Sequence, residues 1–249
     1  MKKIVLLPLD ERPCNFNFPY EIFNGKTFNI VRPKKLGAKK IPADFDEIKS
    51  FLFEECKDAD GLVLSVDTLL YGGLIPSRLH HFSEEEIEKR LDLIRELKRE
   101  NPTLIVFGFQ CIMRCPKYSS SDEEPDYYEI CGEEIHKIGA ILHKKQLGIS
   151  DENDLENLYK IAKPEFLNDY TERRKFNLNF NLKTLSLVKE KVIDFLVIPQ
   201  DDSAKYGFTA LDQIAVREKI SAELLQTDVL IYPGADEVAM TLLAKFANF

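Results

Sequence analysis

Nothing in this 249-residue chain approaches the ~20 consecutive apolar residues of a membrane span. The opening MKKIVLLPLDERP has an apolar core of only about six residues, which runs into proline and charge and is too short for a signal peptide. No basic run with interleaved aromatics occurs, and the net charge is -8, so nucleic acid is not an expected partner. The chain has five cysteines, an odd number, and Cys111 and Cys115 lie four apart rather than at a metal-binding spacing. With no export signal they read as reduced thiols in a cytoplasmic protein.

Several catalytic signatures are also missing. No G-x-G-x-x-G follows the first apolar run, which removes support for a nicotinamide or flavin dinucleotide. There is no P-loop and no G-x-S-x-G elbow, and Ser203 follows acids rather than glycine. Of the four histidines, His80 and His81 begin the loop before a helix. His136 and His143 are seven apart, too far for a paired ligand set on one metal.

What is present is alternation. Short continuous apolar runs at Ile4–Leu7, Phe28–Val31, Leu62–Val66, Leu104–Phe109, Phe195–Ile198 and Val229–Tyr232 read as strands covered on both faces. Helical patterns at Phe45–Cys56, Ser83–Glu100, Ala210–Leu225 and Glu237–Phe246 lie between or after them. The Ser-Glu-Glu-Glu at Ser83 is a capping-box pattern. This predicts a three-layer α/β fold on a mainly parallel sheet of about six strands, with the first strand inside the sheet. An incomplete β/α barrel is the alternative.

One interval breaks the rhythm. Residues 112–192 form a helical insertion in a single domain spanning 1–249, with helices expected at Ile130–Gln146, Asp154–Lys163 and Leu167–Lys191. The insertion would serve either as a cap over a site or as a layer on the sheet. Pro116–Tyr128, rich in serine and acids, is expected to be mobile.

The strand ends carry the chemistry. In a parallel sheet they share one edge, where open α/β sheets keep their sites. LDERPCN contributes Asp10, Glu11 and Arg12, and SVDTLLYGGLIPSR contributes Asp67, Tyr71, Gly72, Gly73 and Arg78. FQCIMR adds Gln110 and Arg114, and PQDDSAKYG adds Gln200, Asp201, Asp202 and Tyr206. YPGADE supplies Asp236 and Glu237. N-capping explains about one acid per helix, not Asp-Glu, Asp-Asp and Asp-Glu at three strand ends. Gathered together, these carboxylates need arginines, a divalent cation, shared protons or ligand hydroxyls to offset their repulsion.

Asp67–Gly72 and Asp202–Gly207 share the form D-x-x-x-Y-G, which two chance matches explain better than an internal repeat. Asp236 is expected to cap the last helix, and Glu237 to reach towards Asp201 and Asp202.

LPLDERPCN, SVDTLLYGGLIPSR, PQDD…YG and YPGADEVAMTLLA together resemble a bacterial family catalogued as domain-of-unknown-function family 4127. The resemblance runs from Leu7 to Ala244. It implies that the carboxylate and glycine positions belong to a family pattern. It also implies a longer usual chain, so that either a C-terminal part would be missing here or this would be a short form.

The reading that follows is a hydrolase of a carbohydrate-like, polyhydroxylated substrate. Asp202, Glu237 and Asp201 would be its catalytic acids, and the other strand-end residues would hold hydroxyls. One alternative is a divalent-metal-dependent hydrolase or phosphoryl-transfer enzyme using Mg or Mn. The other is a non-catalytic small-molecule binding domain. The sequence does not fix the oligomeric state.

Overall fold

A computed structural model describes residues 1–149 and 155–248. The first strand, β1 (Lys3–Leu7), is followed by two short helices, α1 (Pro13–Phe16) and α2 (Phe18–Phe23), each with proline in its first turn. Proline there loses no intrahelical hydrogen bond and arrives with helical φ. Then come β2 (Asn29–Val31), α3 (Phe45–Glu55) and β3 (Gly61–Ser65).

β3 passes directly into α4 (Val66–Tyr71), because the Ser65 hydroxyl accepts from the Thr68 amide and caps the turn. In α5 (Glu84–Glu100) Ser83 caps the Glu86 amide, as the sequence pattern predicts. Next in the chain are β4 (Ile105–Phe109), α6 (Tyr128–Gln146), α7 (Leu155–Ile161) and α8 (Pro164–Lys189). The chain continues through β5 (Phe195–Gln200), α9 (Phe208–Ala222), β6 (Val229–Pro233) and α10 (Val238–Ala247).

The six strands pair in the order β2-β1-β3-β4-β5-β6, all parallel, with β2 and β6 at the edges. β1 is interior and Ile4–Leu7 are fully buried, as expected for a strand covered on both faces. The β1–β2 connection runs one way along the sheet and the connections from β3 onward run the other. The direction therefore reverses between β1 and β3.

Two apolar layers sandwich the sheet. On one face Leu52, Leu91, Ile94, Leu187 and Val216 pack against Val5, Leu7, Leu62 and Leu64. On the other, Val238, Leu242 and Phe246 of α10 pack against Ile4, Leu6, Val63 and Phe107. The three-layer α/β expectation therefore holds.

The 112–192 interval divides its duties. Its front part makes a third core, in which Cys115, Tyr128, Ile135, Ile138 and Tyr170 meet Phe208. The rear of α8, with Phe180, Leu185 and Val188, joins the core on the sheet. The predicted start of α7 at Asp154 lies outside the described residues.

Two local expectations need correction. Glu237, not Asp236, occupies the N-cap of α10, and no side chain caps that helix. Asp236 is drawn away by cations, as described below. Asp67 does not sit on a strand end but in the first turn of α4, buried. The apolar run LVLSV conceals the change from strand to helix, which the Ser65 cap decides. Among the described residues no helix is long and apolar enough to cross a membrane.

Candidate functional site

Two charged assemblies occupy the carboxyl ends of the strands. The first lies at the reversal point, where the loops after β1, β2 and β3 meet Asp236 from the loop after β6. Asp10 follows β1 and is buried. Arg12 donates through Nη2 to Asp10 Oδ2 at 2.7 Å and to Asp236 Oδ1 at 2.6 Å. The Asn15 side-chain amide joins the same two carboxylates, at 2.9 Å and 3.0 Å. Residues from opposite ends of the sequence are thus clasped by one guanidinium and one amide.

Beside this clasp is a crevice of about 300 Å3. It is lined by Asp10, Glu11 and Arg12, by Leu36, Gly37, Lys39 and Ile41, by Gly72, Gly73, Ile75 and Pro76, and by Asp122 and Glu123. Gly72 is required here. It ends α4 with φ 86°, and a Cβ on it would lie 2.5 Å from Pro42 Cβ. Its carbonyl accepts from the Ala43 amide at 2.9 Å, tying the β2 loop against the β3 loop. Glu11 is aimed by the backbone: its Oε1 accepts from the Lys39 amide at 2.7 Å. Lys39 itself holds φ 51°, a conformation disfavoured without glycine.

The second assembly lies over β3, β4 and β5. Arg78 donates through Nη2 to Asp201 at 3.0 Å and through Nη1 to Glu123 and Glu124, at 3.3 Å and 3.2 Å. Arg114 donates to Glu124 and Glu123 at 2.8 Å each, and to Asp201 at 3.3 Å. The side chains of Arg78 and Glu124 are each only 1% exposed. Glu124 Oε2 is buried without a hydrogen-bond partner. Burial pushes the Glu123 carboxyl up, but Arg114 and Arg78 outweigh it and hold Glu123 below its ordinary range.

Glu123 and Glu124 belong to the serine-rich loop, which therefore does lie over the strand ends. Its middle is pinned by ions and hydrogen bonds, and its end is anchored by Tyr127 and Tyr128 in the third apolar core. The Ser121 amide donates to Glu129, and the Tyr128 hydroxyl donates to the Pro116 carbonyl.

The remaining predicted residues scatter. Asp67 Oδ2 accepts from the Cys111 amide at 2.8 Å. Burial raises its carboxyl to about 7, against the lowering effect of that amide. Tyr71 is fully buried, stacked on His80 at 4.5 Å, and presents no face to a ligand. Gln110 and Gln200 are buried at their strand ends. Asp202 accepts from the Cys115 amide, the Ala204 amide and the Thr209 hydroxyl. Tyr206 packs edge-on against His143, 5.6 Å away. The Glu237 carboxylate folds back over Gly234, where it would meet an added Cβ at 2.2 Å.

The two D-x-x-x-Y-G segments also differ. One is a helix with a buried tyrosine and the other an irregular loop with a partly exposed one, so a repeat has no structural counterpart.

Asn15, Lys39, Glu123 and Glu124 are the residues that sequence reasoning missed. The signal for the last two was an acidic triplet, DEE, in a chain whose Arg78 and Arg114 had no local acid. Asn15 closes the LDERPCN segment but carries no charge to single it out. Among the described residues no three His, Cys, Asp or Glu side chains converge to hold a metal ion. Most strand-end acids face guanidinium or amide donors instead, and such a donor set does not fit a resident Mg or Mn.

A larger groove of about 1130 Å3 runs along α3, between that helix and residues 31–44. It adjoins the crevice, with which it shares Leu36, Gly37 and Ile41, and none of the clasp or arginine-pair residues lines it.

The open, doubly wound parallel sheet, with an acid-lined crevice where its direction reverses, makes this an α/β protein, a class whose open sheets commonly keep ligand sites at strand ends. The chain belongs to the family described as protein of unknown function (DUF4127), whose model matches residues 4–249. Neither the curated proteins nor the solved structures contain a match to it.

Proposed function

We propose that the protein binds a small polyhydroxylated, carbohydrate-like molecule in the reversal-point crevice and hydrolyses it by carboxylate acid–base chemistry. The observation that carries this reading is the crevice itself. Its volume of about 300 Å3 suits a small ligand. Its walls combine acids, a half-buried guanidinium and three glycines that allow close backbone approach. Leu36, Ile41, Ile75 and Pro76 supply apolar surface beside these acceptors, and a wall that is about half polar and half apolar matches a sugar ring, with its hydroxyl edge and C–H face, better than an acyl chain.

Glu11 is the acid best placed for proton transfer. One oxygen is fixed by the Lys39 amide, and the carboxylate lines the crevice. Asp122 lines the same crevice on the loop side and supplies a second carboxylate. Asp10 and Asp236 hold Arg12 in place. Asp201, Asp202 and Glu237, the acids first expected to be catalytic, take supporting parts: Asp201 holds the arginine pair and Asp202 fixes the loops around Cys115 and Thr209.

The test is calorimetric titration with a panel of neutral sugars and polyols, followed by nitrophenol release from nitrophenyl glycosides. Wild type should bind and turn over at least one member. Glu11→Gln should bind it and lose turnover. Binding without turnover by wild type would leave a binding module. No binding by wild type would end the reading.

A further inference from the structure

The arginine pair is gripped in a way that does not suit its shape. Arg114 has a fork, Nε and Nη2, made for the two oxygens of one planar carboxylate. Here Nε meets Glu124 Oε1 and Nη2 meets Glu123 Oε2, each at 2.8 Å, so the fork is split between two side chains. Arg78 Nη1 is shared between the same two oxygens at longer range, 3.3 Å and 3.2 Å. Glu124 Oε2 is left buried with no partner. A buried acceptor without a donor is costly, and native proteins keep few of them. The count of charges is also off by one: two guanidiniums face Glu123, Glu124 and Asp201. Without the loop the pair would keep Asp201 alone and carry one net positive charge.

The geometry points to Arg78 and Arg114 as the binding site for the carboxylate of a monoanionic ligand, occupied in this state by Glu123 and Glu124 of the loop as internal stand-ins. Glu123 lines the crevice as well as pairing with the arginines, so the two regions are contiguous. The inference rests on the preceding reading for the ligand's hydroxylated part and narrows its class to a sugar acid. One carboxylate across the Arg114 fork satisfies both donors at once. It releases the loop, returns the orphaned Glu124 oxygen to water and removes the surplus negative charge.

The probe is sodium glucuronate, with glucose as the neutral control, at constant ionic strength. Wild type should bind glucuronate more weakly than the E123Q/E124Q variant, which lacks the competing carboxylates. We expect at least a tenfold gain in affinity by calorimetry. R114K, which keeps the charge and loses the fork, should bind glucuronate at least tenfold more weakly than wild type.

In wild type, glucuronate and not glucose should speed tryptic cleavage after Lys117, which stands in the loop. This readout does not depend on any variant folding. Equal affinities in wild type and E123Q/E124Q, unchanged binding by R114K, or cleavage unaffected by glucuronate would each overturn the inference. Glucuronate binding that needs Arg114 would uphold it even where wild type binds no neutral sugar and turns over no nitrophenyl glycoside, the outcome that ends the crevice reading.

Discussion

Two arginine–carboxylate assemblies share one sheet edge and differ in depth. At the reversal point Arg12 and Asp236 are 40% and 45% exposed, whereas Arg78 and Glu124 are each 1% exposed. The ion types are alike, but the Arg78–Glu124 pair at the heart of the second is shielded from water, and only its outer members, Glu123 and Asp201, reach solvent. Sequence composition would score them equally, yet depth decides which one governs stability. The shallow clasp leaves its neighbours open to a ligand, while the deep one seals a loop over three strand ends.

Removing Arg78 should have the largest effect. Arg78→Met leaves Glu124 and Asp201 short of a buried partner, which costs about 3–5 kcal/mol, read from the urea midpoint at constant slope. A loss below about 1 kcal/mol would put the deep assembly on a par with an exposed pair.

Asp67 beneath the deep assembly should give an unusual pH profile. Its carboxyl is raised from 3.8 to about 7 in the folded protein. Through that window the folded state keeps a proton that the unfolded chain has released, so stability falls as pH rises. Asp67→Asn should remove this slope, which approaches about 1.4 kcal/mol per pH unit for a single proton. Glu123 works in the opposite sense. Its carboxyl is lowered, so its contribution is present above the unfolded value and is lost as pH falls through the folded one. If wild type and Asp67→Asn gave parallel urea midpoints from pH 4 to 7, the buried acid would be pairing with a donor that keeps it ionised.

The smallest effect belongs to the shallow clasp. A double-mutant cycle of Arg12→Gln and Asp236→Asn should yield about 0.2–1 kcal/mol of coupling, shrinking in 1 M salt. Coupling above about 2 kcal/mol that persists in salt would mean that the clasp behaves as a buried pair.

The strands were legible because each is a continuous apolar run, and Phe195–Ile198 or Val229–Tyr232 fall within a residue or two of β5 and β6. The all-parallel order follows from helices between strands. The site was legible only as a neighbourhood. Periodicity says which residues end strands but not where their side chains turn. Glu237 folds onto Gly234, and Asp236 is claimed by Arg12, 224 positions away. Glu123 and Glu124 escaped because their loop has no period at all. Their partners, Arg78 and Arg114, are fixed by chain paths rather than by spacing. Helices α1 and α2 were missed because four and six residues are too few to show a helical stripe.

The packing of α10 has a consequence for how the protein is made. Phe246 lies 4.0 Å, ring to ring, from Phe107, and a Cβ on Gly61 would strike it at 2.6 Å. That helix closes a face begun by Ile4 and Leu6. At about 5–20 residues per second on the ribosome, the greasy side of β1, β3 and β4 waits many seconds for residues 238–247 to emerge. The nascent chain is thus exposed to premature association throughout its synthesis, and a trigger-type holding chaperone should crosslink most strongly to the Ile4, Val63 and Phe107 face until those ten residues clear the tunnel.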